Sequence, residues 1–187
     1  MTNHFPEDLF SYYKSKPDMF AFCINRRMHI ICYAIAAVAM LLMLFPGLVP
    51  LKGIVVRLIA FAGLLYAGLT ISLGGREWRS IASGGRITAI AVKHFARPMN
   101  HAVPGGSEDR RILSMFAGRN WAALASEPSE RGNPLHLHVH EDVVGRTFYL
   151  QLCRRMEAGL LPTGVSEVAS ISAQEYTLHY DDIKAIK

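Results

Sequence analysis

Two apolar stretches dominate the first half of the chain, at residues 28–45 and 53–73, and a short connection with two prolines separates them. A helix rises about 1.5 Å per residue and the hydrocarbon core of a bilayer is roughly 30 Å thick, so about twenty apolar residues are needed to span it. Both stretches approach this length, and between residues 28 and 73 only Lys52 and Arg57 are formally charged. The pattern predicts a hairpin of two transmembrane helices over residues 28–73.

Residues 76–187 instead show the shorter periodicities of a domain outside the membrane. Apolar and polar residues alternate at 135–140 and again at 147–153, which predicts two antiparallel strands joined by a turn. Further strands are predicted at 87–95 and 165–171. The sheet of this domain is therefore expected to be mainly antiparallel.

Helix signals are interleaved with these strands. Ser107 is the predicted N-cap of one helix, residues 121–125 predict a short second helix, and Ser172 with Glu175 matches a capping box for a third. The predicted fold class is thus a membrane α-helical hairpin followed by a small α+β cytosolic domain with a mainly antiparallel sheet, the latter over residues 76–187.

The first 27 residues form a leader with a character of its own. Aromatic residues are concentrated there alongside lysine and arginine, a combination typical of segments at the lipid headgroup level. The six aromatic side chains of this leader are Phe5, Phe10, Tyr12, Tyr13, Phe20 and Phe22. We expect residues 1–27 to form an interfacial leader; the alternative is that these aromatics pack on the chain's own domain or on a partner.

The basic residues around the apolar stretches predict an orientation. Arg26 and Arg27 precede the first stretch, Arg76 and Arg79 follow the second, and the connection between them carries only Lys52. Positive charges accumulate on the cytoplasmic side of membrane proteins. We therefore expect an integral membrane protein, of a bacterial inner membrane, with both termini in the cytoplasm and the lipid bilayer as a partner.

Arg57 lies about one turn inside the second apolar stretch, where its long side chain can reach the outer interface; a functional buried arginine is the alternative. The net charge of +5 does not indicate nucleic-acid binding, because no run of lysine and arginine exceeds two residues. The hydrophobic content of 51% is high for one soluble domain, but it fits a membrane hairpin joined to such a domain.

Small residues recur at helical spacing in the second apolar stretch, at Gly63, Ala67, Gly68 and Ser72. Such residues allow helices to approach each other closely. Packing within the hairpin is the favoured interpretation, and association of copies into a homo-oligomer is the alternative.

Three histidines, His136, His138 and His140, alternate with apolar residues and are expected to share one face of their strand. Together with Tyr149 they are predicted to face solvent or to bind a protein partner. They are only weak candidates for metal binding, because three same-face positions span about 13 Å and would need to approach one ion to about 2 Å. Two of them could hold zinc with further ligands from elsewhere, and a pH-responsive surface is a third alternative.

Motifs for nucleotide binding or for a catalytic serine are missing from the sequence, and Cys153 falls on a strand pattern where a packed thiol is expected. We therefore expect no cofactor and no enzymatic activity. The predicted function is a membrane-anchored, non-enzymatic adaptor or regulatory subunit of an envelope protein complex, which binds a protein partner through the cytosolic domain. The alternatives are a membrane-resident immunity protein that neutralises a toxin, and a metal-dependent enzyme that uses His136, His138 and His140.

Overall fold

The computed structural model describes residues 5–74, 76–96, 107–130, 133–155 and 163–187. Within it the chain divides into two compact units. We call Phe22–Glu77 the helical unit, and Met1–Ala21 together with Trp78–Lys187 the sheet unit. Most of the leader therefore belongs to the same unit as the C-terminal domain.

The leader forms a short helix and a strand. Helix α1 covers Leu9–Ser15, and Asp8 caps it by accepting a hydrogen bond at Oδ1 from the Ser11 N–H, at 2.7 Å. Strand β1, Phe20–Ile24, pairs with strand β2, Arg76–Ser80, in a two-stranded sheet. The boundary between the two units falls within both of these strands.

The helical unit contains the two predicted apolar helices. Helix α2 covers Arg26–Leu44 and is capped by Asn25, and helix α3 covers Gly53–Leu69, with a π-helical turn over Thr70–Gly74 after it. A short 3₁₀ turn begins at Pro46, whose ring cannot continue α2. The helical segments Arg26–Leu44 and Gly53–Ser72, the second of which extends α3 into the π-helical turn, are long enough to cross a membrane and have mean hydropathies of 2.0 and 2.1. Only 11% and 17% of their residues are buried within the chain.

Small side chains line the contact between α2 and α3. Ala60 and Ala67 are buried on α3, as is Ala39 on α2. A Cβ added at Gly63 would lie 3.5 Å from the Cβ of Ala39, so this glycine also belongs to the contact. Gly63 and Ala67 therefore lie in the packing between the two helices of the hairpin.

The sheet unit is built on five antiparallel strands. Strands β3, β4 and β5 are consecutive neighbours, β6 pairs with one end of β5, and β7 pairs with the other. The strands cover Ile87–His94, Leu135–Asp142, Thr147–Arg154, Thr163–Gly164 and Ala169–Ile171. Besides α1, the described part of this unit contains the helices α4, Ser107–Ala117, α5, Trp121–Ser126, and α6, Ala173–Lys184. The predicted α+β class with an antiparallel sheet is confirmed.

The two faces of this sheet are covered by different parts of the chain. On the helix face, Leu135, Leu137 and Val139 of β4 join a core with side chains of α4, α5 and α6. On the opposite face, which we call the leader face, Leu9, Tyr13 and Phe20 pack with Ile87 and Tyr149. The sheet is therefore the middle of three layers, and it is buried on both sides.

A bulge in β3 aligns its side chains with those of β4. Ala89 lies opposite His140, but Ala91 lies opposite Val139, so Ile90 is the extra residue. An extra residue reverses the alternation of the side chains that follow it. As a result, His94 lies beside His136 on the leader face.

Two sequence predictions were wrong in detail. The strand predicted at 165–171 is confined to Ala169–Ile171, with β6 as a separate short strand before it. The capping box at α6 is not formed, because the Ser172 side chain makes no capping bond and the Glu175 carboxylate accepts a hydrogen bond from Arg119 Nη1 at 3.1 Å. The Glu175 carboxylate therefore binds Arg119, from elsewhere in the chain, in place of the backbone N–H at the start of α6.

Candidate functional site

The histidines of β4 lie on the leader face of the sheet, and the leader packs on His140. His136 and His140 are only 5% and 3% exposed, and His138 is half-buried. The Tyr13 hydroxyl lies 3.1 Å from Nδ1 of His140, and Gln151 Nε2 donates to the carbonyl of Pro6 at 2.7 Å. The prediction that the histidine face is outward is therefore wrong, because the N-terminal segment forms a third layer over it.

Tyr149, the fourth predicted partner-binding residue, is also inside the sheet unit. It is 6% exposed, and its ring makes edge contacts with Tyr13 and Phe20 at centroid distances of 5.6 and 5.4 Å. A protein partner has no access to Tyr149 or to the buried histidines while the leader is in place.

The strand register brings a cysteine to the first two histidines. Cys153 of β5 lies directly opposite His136, and His138 is the next residue on the same face of β4. The potential ligand atoms of His136, His138 and Cys153 all lie within 4.8 Å of one another. We call these three residues the His/Cys cluster. His140 is not part of it.

Hydrogen bonds determine the tautomer of two neighbouring imidazoles, those of His136 and His94. His136 Nδ1 lies 2.9 Å from the carbonyl oxygen of Pro134, and His94 Nδ1 lies 2.9 Å from that of Asn133. A carbonyl can only accept, so each Nδ1 carries the proton and the Nε2 lone pair remains available. His138 Nε2 is buried and has no hydrogen-bond partner within the described residues.

Burial sets the protonation of the cluster. Removal from water lowers the pKa of His136, and this effect outweighs the hydrogen bond to Pro134, which raises it. Removal from water also lowers the pKa of His138 to about 4. Burial, with a smaller contribution from the nearby Asp8 carboxylate, raises the pKa of Cys153 to about 12. Near neutral pH the cluster therefore holds two neutral imidazoles and a thiol. Such a thiol is a poor nucleophile, but the three donors suit a borderline-soft metal ion.

Three other buried charged residues of the sheet unit have direct hydrogen-bond partners. Glu141 accepts hydrogen bonds from Tyr176 and Lys184, both at 2.6 Å, and Asp142 accepts one from the Ser83 hydroxyl at 2.5 Å. Lys93 donates to a carbonyl at the end of α5 at 2.6 Å. These groups therefore have structural roles in this unit.

The predicted membrane-flanking cations are mainly on the surface. Five of them are exposed: Arg26, Arg27, Lys52, Arg57 and Arg76. Arg79 is half-buried, and its Nη1 donates to the carbonyl of Gly84 at 3.3 Å. Among the small residues of α3 and the turn after it, Gly68 and Ser72 are exposed, in contrast to Gly63 and Ala67.

An exposed apolar patch lies at the end of the sheet where the β4–β5 turn is found. The Ile81 N–H donates to the carbonyl of Met19. The turn between β2 and β3 also lies close to the β4–β5 turn, since a Cβ added at Gly85 would contact Val144. The exposed fractions are 44% for Met19, 53% for Ile81, 61% for Val143 and 68% for Val144. We call these four residues the sheet-end patch. The sequence did not indicate it, because its members come from three separate turns.

Cys153 and the leader residues over the site were missed as well. The signal for Cys153 was present, since residues paired across an antiparallel hairpin lie at equal distances from the centre of the turn. A turn over residues 143–146 places Cys153 opposite His136.

Comparison of the chain with protein-family models, with curated proteins and with solved structures finds no match.

Proposed function

We propose that this chain is an integral membrane protein whose helical hairpin anchors the sheet unit at the cytoplasmic surface of a bacterial inner membrane. The protein acts there as a non-enzymatic adaptor or regulatory subunit of an envelope protein complex, and the sheet unit binds its protein partner.

The exposure of α2 and α3 carries the proposal. A core helix of a soluble protein is mostly buried. In the two spans formed by α2 and α3, in contrast, only 11% and 17% of the residues are buried. Apolar side chains such as Ile54, Leu58 and Phe61 are 52% to 71% exposed. Surrounding lipid removes this apolar surface from water, which stabilises the inserted state by about 25 cal/mol per Å² of buried surface.

The distribution of charge supports the orientation. Arg26 and Arg27 begin α2, Arg76 follows α3, and Lys52 precedes α3 on the short connection. Two cationic ends and a connection with one lysine favour a cytoplasmic location for both termini. Arg57 lies in the second turn of α3 and is exposed, which suits a side chain that extends towards the outer headgroups.

Two features of the sheet unit favour binding over catalysis. Glu141, Asp142 and Lys93, which are the usual kinds of acid and base catalyst, are held in structural hydrogen bonds. The sheet-end patch, in contrast, exposes apolar side chains that remain uncovered within the unit. Exposed apolar patches commonly mark interaction surfaces. We therefore assign partner binding to this patch in place of the buried histidines.

Alkaline carbonate extraction of cell membranes tests the anchor. The full chain is expected in the pellet. Phe61→Asp, near the middle of α3, should reduce the membrane-inserted fraction because a central aspartate costs about 3 kcal/mol of insertion free energy. Leu178→Asp, at a 76% exposed position of α6, is the matched control and should remain in the pellet. Recovery of the unaltered chain in the supernatant would exclude integral insertion.

Photocrosslinking in cells tests the partner surface. A photoreactive amino acid at Val144 is expected to give a discrete adduct with one protein, whereas the same group at Leu178 should not. Replacement of Val143 by serine should weaken the Val144 adduct without changing the carbonate result. Adducts with lipid alone at Val144 would contradict the assignment of a protein partner to the patch.

A further inference from the structure

The His/Cys cluster has the donor atoms and the placement of a metal site. We propose that His136, His138 and Cys153 bind one Zn²⁺ ion through two imidazole nitrogens and a thiolate. This inference does not depend on the membrane anchor, because all three residues lie in the sheet unit.

The backbone already places the three donors together. His136 and Cys153 are a directly opposed pair in adjacent strands, and His138 follows on the same face. In a tetrahedral zinc site with bonds of about 2.0 to 2.3 Å, donor atoms lie about 3.5 Å apart. The widest separation in the cluster is within 4.8 Å. Rotation of the side chains can bring the donor atoms closer together, with no change in strand pairing.

The surroundings of the cluster resemble those of metal-bound histidines. A ligating histidine usually donates its second N–H to a carbonyl or carboxylate, as His136 Nδ1 does to Pro134. His138 Nε2 is buried with no hydrogen-bond partner within the described residues, which is unfavourable for a polar atom. A metal ion would satisfy this nitrogen. The Asp8 carboxylate acts electrostatically on both His138 and Cys153 and favours a cation nearby.

Zinc binding to the cluster releases one proton. The S–H bond of Cys153 breaks, a bond from sulfur to zinc forms, and the proton passes to solvent; the imidazoles of His136 and His138 bind in the neutral form in which burial already holds them. No oxidation state changes. The fourth position is open to water or to His94, whose ring centroid lies 5.2 Å from that of His136.

The donor set selects the class of metal. Imidazole and thiolate suit zinc and copper, whereas calcium and magnesium require oxygen ligands. Zinc is favoured because sites of imidazole and thiolate ligands most commonly serve as structural zinc centres.

Metal titration of the full chain in detergent, after removal of metal with a chelator, tests the proposal. Zinc is expected to bind at one equivalent per chain and to release about one proton, seen as a dependence of the binding enthalpy on buffer. Cobalt(II) should give a thiolate-to-metal charge-transfer band that zinc abolishes. Failure of zinc to saturate, a cobalt spectrum without the thiolate band, or saturation by copper alone would overturn the assignment.

Matched variants locate the site. Cys153→Ser and His138→Gln should each weaken zinc binding by at least about 100-fold, since even loss of an outer contact costs 10 to 100-fold. His140→Gln, on the same strand and face, and Cys23→Ser, outside the sheet unit, should bind as the unaltered chain does. Unchanged affinity in Cys153→Ser would overturn the proposal. If that variant does not fold, the cobalt spectrum of the unaltered chain still decides whether a thiolate binds the metal.

Discussion

Glu141 shows how single residues of the sheet unit are stabilised. Its carboxylate is 3% exposed and receives the Tyr176 hydroxyl and the Lys184 ammonium group, each at 2.6 Å. The Tyr176 ring also stacks on Phe148 at a centroid distance of 4.6 Å. A buried carboxylate is tolerated only when such partners replace water. The Glu141 carboxylate therefore links α6 to strand β4 of the sheet through two hydrogen bonds.

We expect Tyr176→Phe to lower the free energy of unfolding by about 1.5 to 3 kcal/mol, because it removes a hydrogen bond to a charged group while it preserves the stacked ring. Denaturant unfolding of the purified chain, followed by tryptophan fluorescence, measures the change. Tyr180→Phe, on the 38% exposed neighbouring ring, is the control and should change stability little. Equal effects of the two variants would contradict the role given to the Tyr176 hydroxyl.

Leu137 is a central residue of the core on the helix face. It is fully buried, and we expect Leu137→Ala to destabilise the sheet unit by about 2 to 5 kcal/mol through the cavity that it leaves. Leu178→Ala, at a 76% exposed position, should stay within about 0.5 kcal/mol of the unaltered chain. The same unfolding experiment compares them, and a small loss for Leu137→Ala would show that the surrounding core closes over the site.

At the scale of elements, α1 is a structural part of the sheet unit. Tyr13 is fully buried, and its ring lies between Phe20, Trp78 and Tyr149 at centroid distances of 4.7 to 5.7 Å. Gly164 permits the approach of the leader, since a Cβ there would overlap the carbonyl oxygen of Pro6. The interpretation that these aromatics pack on the chain's own domain therefore holds for the inner side of α1, while Phe10 remains 51% exposed.

We expect Tyr13→Ala to destabilise the sheet unit by about 3 to 5 kcal/mol, as loss of a large buried aromatic does. Thermal unfolding by circular dichroism, together with protease sensitivity of the Leu135–Asp142 strand, reports the change. Lys14→Ala, the next residue on the same helix and exposed, is the matched control. A mild effect at Tyr13 would mean that the leader covers the sheet without stabilising it.

At the scale of the whole molecule, two units with different surfaces share one chain. The helical unit exposes a predominantly apolar surface, whereas the sheet unit contains two buried apolar cores. The natural cysteines are poor probes of membrane orientation, because Cys32 and Cys153 are 1% and 0% exposed. Cysteines placed at the exposed Lys52 and Lys187 are better suited.

In intact cells we expect a membrane-impermeant thiol reagent to modify Lys52→Cys and to leave Lys187→Cys unmodified until the cells are opened. Both substitutions are made with Cys23→Ser, so that the half-buried natural thiol does not contribute. The reason is that the connection carries one basic residue while both flanks of the hairpin carry arginines. Labelling of Lys187→Cys in intact cells would reverse the proposed orientation.

The sequence by itself determined the elements whose pattern is local. The two apolar helices followed from continuous hydrophobic runs, and strands β4 and β5 followed from alternation, with Leu137 and Leu150 on the helix face as expected. Strands β1 and β2 were missed because they are short and the second is mostly polar, so their pairing depends on contact between segments more than fifty residues apart.

The tertiary structure alone decided what covers the histidines. Alternation showed that His136, His138 and His140 share a face, but a strand pattern is the same whether its polar face meets water or another layer. The layer that packs on His140 comes from α1, in which Tyr13 lies 127 residues before His140 in the sequence. The position of Cys153 beside His136 likewise required the exact register of the turn, and a shift by one residue would have placed it on the other face. Periodicity fixes how side chains alternate along one element, whereas burial and the assembly of a site depend on long-range contacts that no local pattern contains.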